Sequence, residues 1–114
     1  VAALTTASLT VSAAAQDNRG AYDVAVRCFV ANVRAEGLER RAGRPEAAER
    51  YRLAGRDSFD AMAVLGVALG KTREQMEADV RASQNTDLPR MVSDNAYFRT
   101  VVSTCRAYGL MPSG

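Results

Sequence analysis

Apolar positions recur along this chain with the period of a helix, most clearly near its C-terminal end. In Asp94–Tyr108 (DNAYFRTVVSTCRAY), Phe98, Val101, Val102, Cys105 and Tyr108 stand at i, i+3, i+4, i+7 and i+10. That spacing draws one apolar stripe down an amphipathic helix. Asp94 is placed to cap its start and Gly109 to end it, with Pro112 beyond. A similar pattern predicts a first helix from about Gly20 to Glu36. There Tyr22, Ala25, Phe29 and Val33 form one edge of a broad apolar face, and Val24, Cys28, Ala31 and Ala35 form the adjacent edge. Gly37 is positioned to stop this helix.

Between these two, Leu38–Arg44 (LERRAGR) reads as a polar, basic connection. Pro45 suits a first helical position, and Glu46 and Glu49 suit the positive end of a helix dipole, so a second helix begins near Pro45. Its first half has a narrow apolar seam of Ala47, Tyr51 and Ala54. Its second half, Phe59–Leu69, is apolar almost all round, which predicts contact on several sides. Gly55 is a point for the helix to loosen, with Asp57 or Ser58 able to recap it, and Gly70 ends it. Gly66 and Gly70 form a GxxxG, read as close packing within the bundle. Thr72-Arg-Glu-Gln75 matches a capping box. The third helix then runs from Arg73 to about Ser83 and is buried through Met76 and Val80. Gln84–Asp87 reads as a turn, and Leu88-Pro89 as a short helical turn leading into the last helix.

Four helices joined by short connections predict an all-α domain, an up-down-up-down four-helix bundle. Helices 1 and 4 are neighbours in that topology. The chain's two cysteines, Cys28 and Cys105, fall one on each, and a disulfide between them is expected. Composition agrees with helices. The 114 residues suffice for one domain, and the 47% hydrophobic content comes largely from Ala, Val and Leu with no Trp. A net charge of only +2 on so apolar a chain argues against disorder.

Residues 1–15 (VAALTTASLTVSAAA) carry no charge and end in small residues before Gln16-Asp17. They read as the remnant of a secretory signal peptide, an h-region with cleavage after Ala15 or, as second choice, Ala13. Residues 16–114 then form the single helical domain. The competing reading is an amphipathic first helix, against which Thr5, Thr6, Ser8, Thr10 and Ser12 stand as poor helix-interior residues. Export to a bacterial periplasm or beyond is consistent with an even number of cysteines and no CxxC. No later segment is long and apolar enough to be transmembrane.

The chemistry is mostly defined by what is missing. There is no histidine, which removes the commonest general base and transition-metal ligand. A bridged cysteine pair removes thiolate chemistry. No cofactor, metal or catalytic residue is therefore assigned. Asp57 and Asp60 share a helix face, but Arg56 lies four before Asp60 and a solvated, ion-paired face is the plainer reading. Ser58 with Lys71, the only lysine, has nothing to mark it. The four methionines, Met62, Met76, Met91 and Met111, are scattered as core filler. The basic stretch Arg40, Arg41, Arg44 and Arg50, with Tyr51 as an aromatic anchor, is the candidate partner surface. It suits another envelope protein or an anionic envelope surface rather than nucleic acid. Phe59, Met62 and Phe98 are the candidate lining of a cavity for a small apolar ligand. The expectation is a non-enzymatic, exported binding module. A ligand carrier is the alternative, and an enzyme using Asp57, Asp60 or Ser58 comes third.

With one cysteine in VAVRCFVANV, the FDAMAVLG pattern and one cysteine in VVSTCRAYG, the chain resembles small, uncharacterised, all-helical secreted or periplasmic proteins of proteobacteria. That resemblance implies an exported helical fold and brings no activity or site residues. Acid-stress periplasmic chaperones are likewise small, helical and singly disulfide-bonded, a likeness of architecture alone.

Overall fold

The computed structural model describes residues 13–113, with side chains from Gln16 onward. The described residues form α1 (Ala13–Arg41), α2 (Pro45–Ala68), α3 (Arg73–Ser93) and α4 (Asn95–Ala107). The segment read as a signal remnant lies outside the described residues up to position 12, and Ala13–Ala15 open α1.

The helices run up, down, up and down. On α1 and α2, Tyr22 faces Gly66 while Asn32 faces Ser58 and Gly55, so numbers rise on one as they fall on the other. On α1 and α3 they rise together, Tyr22 meeting Asp79 and Arg27 meeting Asp87. α1 is the common support, because α2, α3 and α4 all pack on it. Two core clusters sit along its length. One gathers Tyr22, Ala25 and Val26 with Met62 and Val80. The other gathers Cys28, Val30, Ala31 and Ala35 with Met91, Val101, Cys105 and Met111. Cys28 and Cys105 form the disulfide, their Cα atoms 5.6 Å apart across 77 positions of sequence.

Several starts and stops follow their local chemistry. Pro45 opens α2. Thr72 Oγ1 accepts from Gln75 N at 3.1 Å while Thr72 N donates to Gln75 Oε1 at 2.8 Å, closing the capping box. Asp94 caps α4 by accepting from Tyr97 N at 3.0 Å.

Other expectations are corrected. Gly37 does not stop α1, which continues four residues to Arg41. The Glu36–Arg40 ion pair spans Gly37, and the stop comes at Gly43, whose φ of 74° few other residues adopt cheaply. The polar run Gln84–Asp87 is helical, so α3 is one helix with Pro89 inside it. Pro89 deprives that helix of a hydrogen bond. Side-chain bonds hold the segment, with Asp87 Oδ2 accepting from Ser83 Oγ of the preceding turn at 2.6 Å and Asp87 Oδ1 from the Tyr97 hydroxyl of α4 at 3.2 Å. Nor is Phe59–Leu69 surrounded. α2 lies at the edge of the bundle, and Val64 and Val67 are 71% and 69% exposed on its outer side. Tyr108, at the end of the predicted stripe, is also exposed.

The glycines of α2 are contact points with its neighbours. Gly55 brings the backbone to Asn32, where an added Cβ would lie 3.3 Å from Asn32 Cβ, so the helix is not loosened there. At Gly66 an added Cβ would overlap Met76 Sδ and press to 3.1 Å on Met76 Cγ and Tyr22 Cε1. Gly66→Val is therefore expected to cost about 2 kcal/mol through overpacking, even though it removes a poor helix former. A thermal melt checks this, and an unchanged or raised midpoint would refute the close approach of α1, α2 and α3 here.

Candidate functional site

α2 and α4 both pack on α1, and an open groove of about 520 Å3 runs between them. Ala35 and Leu38 of α1 form its floor, Tyr51 of α2 one wall, and Phe98 and Val102 of α4 the other. These positions follow from helical period. Ala35 and Leu38 are three apart on α1, and Phe98 and Val102 four apart on α4, beside the buried Val101 and Cys105. Glu39, Asn95, Arg99, Ser103 and Arg106 form the rim. Arg44 Nε donates to Glu39 at 2.5 Å, and this bond holds the Glu39 carboxyl below its ordinary range. Arg106 Nε donates to Pro112 O at 2.8 Å, tying the C-terminal segment to α4.

A polar seam joins α1 to α3 on another side. Tyr22 donates its hydroxyl to Asp79 Oδ2 at 2.5 Å, and Lys71 Nζ reaches the same oxygen at 3.0 Å while lying over the Tyr22 ring. Burial, with help from Asp79, pushes the Tyr22 phenol above its ordinary range. Burial pulls the Asp79 carboxyl up, but Tyr22 and Lys71 outweigh it and hold Asp79 below its usual value. Farther along, Arg27 stands 3.9 Å from Asp87, and Arg90 stacks on Tyr97. Burial and the Asp87 charge raise the Tyr97 phenol. Tyr22, Lys71 and Asp79 are bound to one another and Tyr97 to Asp87, which fits a structural tie between helices, while the buried Arg27 Nε makes no hydrogen bond among the described residues.

A third polar feature is fully buried. Asn32 Nδ2 lies 2.9 Å from both Cys28 O and Leu110 O and 3.3 Å from Ser58 Oγ. Ser58 Oγ in turn reaches Ala54 O at 2.9 Å and Leu110 O at 3.1 Å. Asn32 Oδ1 makes no hydrogen bond among the described residues. The knot fastens the C-terminal segment across the α1–α2 seam.

The sequence-derived candidates fall into different places. Tyr51 and Phe98, read for two different roles, line one groove. Phe59 and Met62 line a separate apolar hollow of about 340 Å3 with Met76 and Arg73, so they share no cavity with Phe98. The cause is that Phe98 lies beside the half of α1 that receives α4, whereas Met62 packs with Tyr22 and Val26. Arg40 is bound by Glu36 and Arg44 by Glu39, while Arg44 and Arg50 flank a shallow depression at the start of α2. Arg41 is exposed at the end of α1. Asp57 and Asp60 are exposed, Ser58 is buried, and Lys71 pairs with Asp79 instead of Ser58. Among the described residues no three His, Cys, Asp or Glu side chains gather as a metal site, and no helix is long and apolar enough to cross a membrane.

Sequence reasoning missed Leu38, Arg99 and Arg106 at the groove and Asn32 in the core. The two arginines lie seven apart, two helical turns, beside the apolar stripe of α4, which was the signal available. No family model matches the chain, and no characterised protein or solved structure matches it either.

Proposed function

We propose that this chain is an exported, non-enzymatic protein-binding module that holds a segment of a partner protein in the α1–α2–α4 groove. The carrying observation is the shape and lining of that groove. It joins half-buried aromatic and aliphatic side chains from three helices to a polar rim, yet stays open along one side. A small ligand is normally enclosed over most of its surface, whereas an amphipathic segment needs only an apolar trough. The carrier alternative draws less support because Phe59 and Met62 are separated from Phe98. The disulfide and the resemblance to small secreted proteins support export, with an envelope protein as the partner.

Selection of displayed helical peptides on the immobilised protein tests the reading. Ser103→Trp supplies the control, because Ser103 is exposed on the rim and a bulky ring there fills the groove without removing core packing. Peptides that bind the unmodified protein and lose about tenfold or more in affinity for Ser103→Trp are the expected result. Enriched peptides indifferent to that substitution would overturn it.

A further inference from the structure

We infer that the partner segment is an acidic amphipathic helix of about three turns, its carboxylates set against Arg99 and Arg106. This rests on the groove being the binding site. Asn95, Phe98, Arg99, Val102, Ser103 and Arg106 stand at i, i+3, i+4, i+7, i+8 and i+11, so one face of α4 lines the groove for about 16 Å. Phe98 and Val102 make the inner row beside the core, and the arginines lie on the outer side of it. Arg99 is exposed and forms no ion pair among the described residues. Arg106 spends its Nε on a carbonyl and forms no ion pair among the described residues. The one acid on the rim, Glu39, is engaged by Arg44 and neutralises neither.

An uncharged apolar segment seated here would cover two unpaired guanidinium groups, an arrangement that costs desolvation with nothing in return. A carboxylate beside each arginine removes that cost and adds charge-assisted, two-pronged hydrogen bonds. The arginines are seven residues apart, so a helix lying along α4 meets them with acids at i and i+7. With that helix parallel to α4 and position i at Arg99, its residues at i−1 and i+3 then fall on Phe98 and Val102.

The test uses two helical peptides of about sixteen residues, identical except for Glu or Lys at positions i and i+7, with Leu at i−1 and i+3. Fluorescence anisotropy reads binding to the unmodified protein, to Arg99→Glu and to Ser103→Trp. Arg99 is on the surface, and circular dichroism verifies that its variant is folded. The Glu peptide is expected to bind the unmodified protein and to lose about fivefold or more with Arg99→Glu, while the Lys peptide shows the reverse order. Raising ionic strength from about 0.05 M to about 0.5 M should weaken the Glu peptide further. Equal binding of both peptides, still blocked by Ser103→Trp, would overturn the acidic assignment and leave the groove reading standing. Binding that Ser103→Trp does not block would overturn both, and failure of the Glu peptide to bind at all would overturn the inference.

Discussion

Reducing the Cys28–Cys105 bridge is expected to lower the stability of the domain by about 4 kcal/mol and its melting midpoint by roughly 20 °C. The bridge closes a loop across 77 positions of sequence, so its loss returns much conformational freedom to the unfolded chain. A domain of this size has about 5–15 kcal/mol in all, which makes this a large share. The consequences should be uneven. α4 is 13 residues long and is held on the bundle by Val101, Cys105 and the half-buried Phe98 and Val102. It should loosen first, and the groove wall would go with it, so binding in the groove should fail in reducing buffer before the other helices melt. Melts and peptide binding with and without reductant check both statements. A midpoint that moves by only a few degrees would show that packing alone secures α4. Protein taken from its native compartment should accept an alkylating agent only after reduction.

The second large effect is expected at Asn32. In Asn32→Asp a carboxylate oxygen would replace Nδ2 and face the carbonyls of Cys28 and Leu110, buried from water. That should cost about 3–4 kcal/mol at neutral pH, against about 1–2 kcal/mol for Asn32→Ala, which removes the hydrogen bonds without burying a charge. The pH dependence separates this from a packing fault. Burial raises the carboxyl's folded-state pKa above its unfolded value of about 3.9. The folded variant therefore binds more protons, and the deficit is full only above the raised pKa. It shrinks as pH falls between the two values, because the protonated acid can donate to Leu110 O. Denaturant melts of variant and parent at several pH values check this. A difference that stays constant down to pH about 3 would refute the account of Asn32 as a buried donor.

What could be read from the sequence was local chemistry. The stripe on α4 from Phe98 to Cys105, its Asp94 cap, the Thr72 box and the Pro45 start depend on neighbours in sequence, and they stand in the structure as read. The cysteine pairing was legible because two amphipathic helices each carried one thiol on an apolar face. The misreadings arose where side-chain pairing overrode the residue-type signals. The Glu36–Arg40 pair, four apart within α1, carries the helix past Gly37, and Asp87 is held by Tyr97 and Arg27 from neighbouring helices in a stretch composed like a turn. The exposed Val64 and Val67 were misjudged because an apolar run does not say how many neighbours a helix has. The groove was half legible. Tyr51 and Phe98 stood out as aromatics, but their meeting depends on α2 and α4 lying apart on α1, a property of the whole bundle. Asn32 gave no signal, since a single polar residue within an apolar face looks like a solvent-facing position.

The most direct measurement is amide chemical-shift mapping while the tightest-binding peptide is titrated into isotopically labelled protein. Shifts gathered at Ala35, Leu38, Tyr51 and along Phe98–Arg106, with the outer side of α2 unmoved, are what this account predicts. Shifts gathered instead at Phe59, Val64 and Val67 would contradict it and move the binding site to the bare face of α2.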